Sequence, residues 1–317
     1  MDKEKVENGP KVRFAEVDEE RAGQRVDNFL LRELKGVPKT RVYRALRKGE
    51  IRVNKGRTKA DYRLQQGDLV RIPPLRTNQQ RPEPVVGGDL QAHLEASIVF
   101  EDAGLIVINK PSGLAVHGGS GLNFGLIEAL RKIRPQQKFL ELVHRLDRDT
   151  SGCTMVAKKS SVLKDIHKKL RGVGVDKRYL ALVVGRWPKH CQRVDAPLAK
   201  NTLISGERMV KVDINGKSSV TEFSIVERFA DCSLIEAKPI TGRTHQIRVH
   251  ALQAGCPILG DEKYGDKGKN QFYRKKGLKR LFLHAKSLSL EYPEGELLEV
   301  GAELDPKLIK FLGRLDK

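Results

Sequence analysis

The chain has 317 residues, of which 39% are hydrophobic and 32% charged, with a formal net charge of +20. That length allows one or two domains with sizeable cores, and the composition excludes a disordered or fibrous chain. No apolar run approaches membrane-spanning length, and the start Met1-Asp2-Lys3-Glu4-Lys5 lacks the apolar segment of a signal peptide, so a cytoplasmic protein with no membrane partner is expected. A basic excess of this size attracts polyanions, nucleic acid first among them.

Four cysteines, Cys153, Cys191, Cys232 and Cys256, are widely spread with no CxxC pair. A structural zinc site or a disulfide framework is not expected from that spacing; four reduced thiols are.

Residues 1–23 read as a polar N-terminal extension, in which Lys11 to Val17 alternates weakly and predicts a strand. Residues 24–76 read as a compact unit. Val26, Phe29, Leu30 and Leu34 fall at helical spacing, Gly36 stops that helix, and Pro38 opens a second one running to about Lys48. Val42 and Leu46 face inward in the second helix, whereas Arg41, Arg44, Arg47 and Lys48 recur at three- and four-residue steps on another face. Gly49 ends it. Short strands follow at Ile51 to Val53 and Leu69 to Ile72, with a Gly67-Asp68 turn between them. From Gln24 to Arg76 there are fifteen Lys and Arg against five Asp and Glu, an excess equal to half of the chain's net charge in one segment. A charge run is usually a solvated face; the lack of acidic residues on this helix favours a phosphate-tracking surface, with Lys39, Arg41, Arg44, Arg47 and Lys48 as RNA contacts.

Residues 77–92 have linker composition, with Pro82, Pro84, Gly87 and Gly88 and few apolar residues. A larger domain is expected over 93–317. Its strands read at Leu105 to Ile108, Cys153 to Ala157, Tyr179 to Val184, Phe223 to Val226, Ser233 to Ala237 and Leu281 to Leu290. Helices read at 125–133, 161–171, 245–254 and 305–315, the last opening on Asp305-Pro306. Strands and helices do not alternate strictly, which predicts an α+β fold on a mixed sheet.

Two polar concentrations stand out. The first is His144-Arg145-Leu146-Asp147-Arg148-Asp149-Thr150-Ser151-Gly152, directly before an apolar strand. Asp147 begins what looks like a calcium loop, but the twelfth position is Lys158 where Glu is required, so that reading fails. An ordinary polar turn remains open, since Asp, Ser and Gly are common turn formers. The second is Thr241-Gly242-Arg243-Thr244-His245-Gln246-Ile247-Arg248-Val249-His250. Thr244 is the expected helix cap, and His245 and Arg248 share a face. Ile247, Ala251 and Ala254 bury one side, which holds Arg248 near the core boundary, where a guanidinium needs an anionic partner. Gly118-Gly119-Ser120-Gly121 reads as a bend before a helix, with backbone approach by RNA possible there. Tyr179, a lone aromatic on a strand, is either core or a stacking platform for a base. The residues alone allow a site of Asp, Arg and Tyr without proving that the three meet, and leave open a non-catalytic RNA-binding protein or a nuclease.

The motifs His144-Arg145-Leu146-Asp147 with Thr150-Ser151-Gly152, Asn109-Lys110-Pro111-Ser112-Gly113, Tyr179-Leu180-Ala181, Gly242 to His250, Gly260-Asp261 with Tyr264-Gly265, and Leu283-His284-Ala285 occur in one order. In this the chain resembles the RluA family of pseudouridine synthases. Residues 24–76 are similar to the small RNA-binding domain first known from ribosomal protein S4, through Lys48-Gly49-Glu50-Ile51-Arg52-Val53-Asn54 and Gly67-Asp68-Leu69-Val70. The resemblance implies a pseudouridine synthase fold with a bent mixed, largely antiparallel sheet, and isomerisation of uridine to pseudouridine in large-subunit ribosomal RNA by a monomer without metal or cofactor. It implies Asp147 as the catalytic group, Tyr179 and Leu283 as walls on the base, Arg248 paired with Asp147, Arg145 and Arg148 as RNA contacts, and Asp149 to Gly152 as a supporting turn. Cys153 stands where an aliphatic residue is commoner.

Overall fold

The computed structural model describes residues 12–34, 36–75, 87–118, 124–172, 174–202, 208–292 and 295–316. The chain divides into two compact units, Met1–Val85 and Val86–Lys317.

The first unit contains β1 (Arg13–Glu16), α1 (Val26–Glu33), α2 (Lys39–Lys48), β2 (Arg52–Val53), β3 (Gly56–Arg57) and β4 (Leu69–Ile72). Its sheet runs β1-β4-β2-β3 and is antiparallel. Val26, Phe29 and Leu30 of α1 and Val42, Ala45 and Leu46 of α2 are buried in one core with Val70 and Ile72. Gly49 closes α2 at φ 69°, a left-handed cap that suits glycine. Residues 13–23 are not a free extension. Arg13 pairs with Ile72 and Glu16 with Leu69, and Val17 is buried in the same core, because β4 would otherwise expose an unpaired edge.

The second unit contains α3 (Gly88–Ala96), β5 (Ile98–Glu101), β6 (Leu105–Lys110), α4 (Leu126–Ile133), β7 (Glu141–Leu142), β8 (Ser151–Ala157), α5 (Ser160–Arg171), β9 (Val175–Val184), β10 (Arg193–Asp195), β11 (Leu198–Thr202) and β12 (Arg208–Val212). It continues with β13 (Val220–Arg228), β14 (Cys232–Pro239), α6 (Gln246–Gln253), α7 (Lys267–Lys275), β15 (Leu283–Glu291), β16 (Leu297–Gly301) and α8 (Pro306–Leu312). The linker composition therefore does not extend to residue 92: Leu90 and Leu94, one helical turn apart, dock α3 on the core that holds Leu126 and Leu130. The expected bend at residues 119–121 lies outside the described residues.

The main sheet is mixed, in the order β10-β13-β14-β9-β15-β8-β6-β5, with β16 beside β15 and β7 beside β8. Its central strands are buried on both faces, which explains why they read as continuous apolar runs. Leu105 and Val107 of β6 enter one core and Ile106 and Ile108 another; Ala181 and Val183 of β9 likewise oppose Leu180 and Leu182. Cys153 packs in such a core, and burial pushes its thiol up to about 12, so it acts as a small apolar residue.

One parallel join, β15 to β8, links the two halves. It corrects the reading of Asp149 to Gly152 as a turn. Ser151 and Gly152 already belong to β8, opposite His284 and Ala285. Gly152 lies at φ 110°, and a Cβ there would stand 2.2 Å from the Ala285 carbonyl oxygen. Glycine is needed here for a close backbone approach. Gly152→Ala is expected to lower stability by at least about 3 kcal/mol, since both strain and overlap with backbone act on it. Denaturant unfolding of the full chain measures this, and a change within about 0.5 kcal/mol would refute the account.

Candidate active site

The centre of the second unit forms a cleft of about 510 Å3, within the usual size of small-ligand sites. Asp147 comes from the loop before β8, Tyr179 from β9, Leu283 from the start of β15 and Arg248 from α6. Neighbouring elements of the sheet thus bring four residues distant in sequence to one cavity.

Arg248 is only 6% exposed. Its Nε and one terminal nitrogen donate to the two oxygens of Asp261, each at 2.7 Å. The other terminal nitrogen donates to Asp147 Oδ2 at 3.1 Å. Arg248 therefore does pair with Asp147, but Asp261 is its principal partner. Burial opposes the charged guanidinium; the hydrogen bonds and charge of Asp261, and then Asp147, outweigh it and raise the pKa above the ordinary arginine value. Burial likewise works against the Asp261 anion, and Arg248 with the backbone N–H groups of Tyr264 and Lys263 overcomes it, holding the carboxyl below its ordinary range. Asn270 of α7 donates to the Asp261 carbonyl and accepts from Gly260 N–H, fixing the turn.

Asp147 retains 19% side-chain exposure, and its Oδ2 is the oxygen that faces both Arg248 and, at 3.7 Å, His245 Nε2. The other oxygen has no hydrogen bond among the described residues. Thr244 does not cap α6. The cap position is His245, a non-glycine residue at φ 54°. Gln246 replaces a hydroxyl cap: its Oε1 accepts from Arg243 N–H and the Thr241 hydroxyl. His245 Nδ1 lies 2.7 Å from the Tyr264 hydroxyl, which accepts from Val210 N–H of β12. Burial, partly offset by Asp147, lowers the His245 pKa, so the ring is neutral at pH 7.

The Asp147 loop is held from outside itself. Lys110 is fully buried, and its ammonium donates to the carbonyls of Pro111, Leu114 and Arg148. Burial, and then the charge of Arg280, pushes it down to about 7. Gly113 N–H also donates to Arg148 O, and the Ser112 hydroxyl to Asp149 O. His144 accepts from Met155 N–H, and burial lowers it to about 4.

Tyr179 and Leu283 line the cleft with Leu146, Ile240 and Ile247. Burial, and then the Asp147 charge, raises the Tyr179 phenol well above 10, so it is protonated at neutral pH. Arg145 is exposed and lines the cleft; Arg148 is exposed, does not line it, and pairs with Asp149 at 3.1 Å. In the first unit Lys39, Arg44, Arg47 and Lys48 are exposed, whereas Arg41 is half-buried and bound to Glu50 just past α2 at 2.6 Å. Roles for Lys110, His245 and Asp261 were not assigned from sequence. All three lie in the quoted motifs, but only the fold shows what they touch.

An anionic carboxylate beside a fixed guanidinium, in a cleft with apolar walls, suits attack on or proton removal from a bound sugar or base. Comparison with known proteins gives the class. Residues 104–253 match the family model described as RNA pseudouridylate synthase, and residues 24–70 match that of the S4 domain. The chain is 56% identical to the ribosomal large subunit pseudouridine synthase C of Pasteurella multocida, covering 96% of this chain and 94% of the relative. It is 55% identical to the protein of that name from Yersinia pestis, covering 98% of each. Among solved structures it is similar to the human RNA pseudouridylate synthase domain containing 4, with a TM-score of 0.60 and 29% identity over 72% of this chain and 97% of that one. The chain belongs to the RNA pseudouridylate synthase family.

Asp261→Asn is expected to cost about 3–5 kcal/mol at neutral pH, because Arg248 stays buried without its bidentate partner. The Asp261 carboxyl is depressed in the fold, so its contribution is present above the unfolded pKa of about 3.9 and is lost as pH falls through the folded value. Stability of the unsubstituted protein should therefore fall below about pH 4. Urea unfolding across that range should show a flatter acid limb for the variant; equal slopes would remove Asp261 from the linkage.

Proposed function

We propose that this pseudouridine synthase isomerises uridine in large-subunit ribosomal RNA, with Asp147 as the catalytic group and no metal or cofactor taking part. The observation that carries the reading is the Asp147–Arg248–Asp261 chain at the floor of a cleft walled by Tyr179 and Leu283. The rRNA substrate is supported by relatives more than half identical over nearly the full length and named for that activity.

The reaction breaks the bond between C1′ and N1, turns the uracil, and joins C5 to C1′, while the proton lost from C5 is balanced by one gained at N1. Asp147 either forms a bond to the sugar or removes a proton from it, and both roles need the carboxylate form, to which Arg248 donates a hydrogen bond. The free base must be retained and water kept out. Tyr179 and Leu283 serve that end as apolar walls, with stacking of about 1–3 kcal/mol per base. Extruding the target nucleotide costs a few kcal/mol, which phosphate contacts offset. Arg145 and Arg148 beside the site, and Lys39, Arg41, Arg44, Arg47 and Lys48 of the S4-like domain, supply those contacts. Arg41 contributes less, since Glu50 already neutralises it. Asp147, Tyr179, Arg248 and Leu283 come from one chain, in keeping with a monomer. The cytoplasm, where rRNA is available, is the proposed address.

Asp147→Asn is expected to fold, to bind rRNA, and to form no pseudouridine. Pseudouridine mapping of rRNA incubated with each protein, read beside a strand-cleavage assay, tests this; product from the variant would remove Asp147 from the mechanism, and cleavage would indicate a nuclease. Replacing Arg44, Arg47 and Lys48 by Glu should weaken rRNA binding and lower the slope of log affinity against log salt by about 2 to 3. An unchanged slope would place the anchor elsewhere.

A further inference from the structure

Lys177 lines the same cleft and has no part in the chemistry above. It lies on β9 two residues before Tyr179, so both side chains leave the strand on one face. The same cleft is lined by His144, Arg145 and the end of α5 at Leu170, Arg171 and Gly172. Among the described residues its ammonium makes no hydrogen bond and no ion pair. The adjacent Asp176 is engaged by Arg178 at 3.3 Å and by Lys238 at 2.6 Å. His144 is neutral and already accepts a backbone N–H. The carbonyls at the end of α5 offer partial negative charge, but Lys168, Lys169 and Arg171 already crowd that turn with cations.

Asp176 is the carboxylate whose charge reaches Lys177, and Arg178 and Lys238 already share it, so a half-buried ammonium in a cleft that also holds Arg145 and Arg171 is costly unless a ligand brings further counter-charge. Burial lowers the Lys177 pKa in spite of Asp176. Uracil cannot meet it, since the base is neutral until its glycosidic bond breaks. The full negative charge that RNA carries in its ground state is phosphate. We propose that Lys177, with Arg171 and Arg145 of the same cleft, is a binding site for one backbone phosphate flanking the target uridine. It would fix the register of the flipped nucleotide on Tyr179. The inference rests on the proposed RNA reading of this cleft and adds a residue to it.

The test is a cycle on a short rRNA fragment that the unsubstituted protein binds, in which single phosphates around the target uridine are replaced by neutral methylphosphonates. Lys177→Gln should raise Kd and KM about ten-fold, the loss falling in KM rather than kcat, and Lys177→Arg should restore part of it. One methylphosphonate position should cost the unsubstituted protein the same factor and cost Lys177→Gln almost nothing further. If every position penalises both proteins equally, Lys177 does not bind phosphate. If Lys177→Gln lowers kcat and leaves KM and Kd unchanged, the lysine acts on the base and the proposal fails. Binding is read without turnover, so a fragment that binds but yields no pseudouridine with the unsubstituted protein would instead count against the functional reading.

Discussion

The site depends on one guanidinium shared by two carboxylates. Arg248 gives two of its nitrogens to Asp261 and a third to Asp147. The carboxylates are not equivalent. Asp261 also accepts N–H groups from Lys263 and Tyr264, so it takes four hydrogen bonds in all. Among the described residues Asp147 accepts a single hydrogen bond, and it lines the cleft. Two anions against one cation leave one negative charge over, and the hydrogen-bond inventory puts that charge on Asp147. The planar fork makes this division possible. A lysine could hold one carboxylate or the other but could not fix the angle between them.

The guanidinium can do this only because both partners are rigid. Asp261 sits in a turn tied to α7 through Asn270. Asp147 sits in a loop whose carbonyls are held by Lys110, Ser112 and Gly113. The strand after that loop packs against β15 so closely that only glycine fits at position 152. The supports of the Asp147 loop lie 35 or more residues before the carbonyls they hold. The parallel join of β15 to β8 brings the two halves of the sheet together, and the antiparallel pairing of β15 with β9 places Leu283 beside Tyr179's strand.

This arrangement explains what could be read from the sequence. The stretches of β6, β8 and β9 that are buried on both faces, Leu105–Ile108, Cys153–Ala157 and Leu180–Val183, form largely apolar runs and were legible, as were α1, α2 and α8 with its Asp305 cap. The mixed α+β sheet and the S4-like domain followed from those elements and from the quoted motifs. Elements held by a few polar contacts were not legible. Helix α7 is Lys-Gly-Lys-Asn-Gln-Phe-Tyr-Arg-Lys, and what fixes it is the Asp266 cap with buried Asn270 and Tyr273. Strands β10 to β12 and β16 are only three to five residues long, too short to show a period. In the site, burial of Arg248 called for an anion, and periodicity could name that need but not Asp261, which lies beyond α6 on a separate turn. His245 was placed correctly on the Arg248 face, yet its left-handed backbone is set by tertiary packing and has no local signal.

The proposed role of Asp147 carries an electrostatic conflict, because a carboxylate would have to admit an anionic polymer. The charges lining the cleft resolve it. Arg145, Arg171, Lys177, Arg243 and Arg248 line the cleft with Asp147, so the lining carries more positive than negative side chains where a phosphate would approach. The exposed members of that set are screened by salt, whereas the buried Arg248–Asp147 contact is screened much less. Attraction of RNA and the pairing of Asp147 are thereby carried by different charges. An outer cation can be replaced without touching Asp147, whereas a change at Arg248 removes the hydrogen bond that Asp147 accepts.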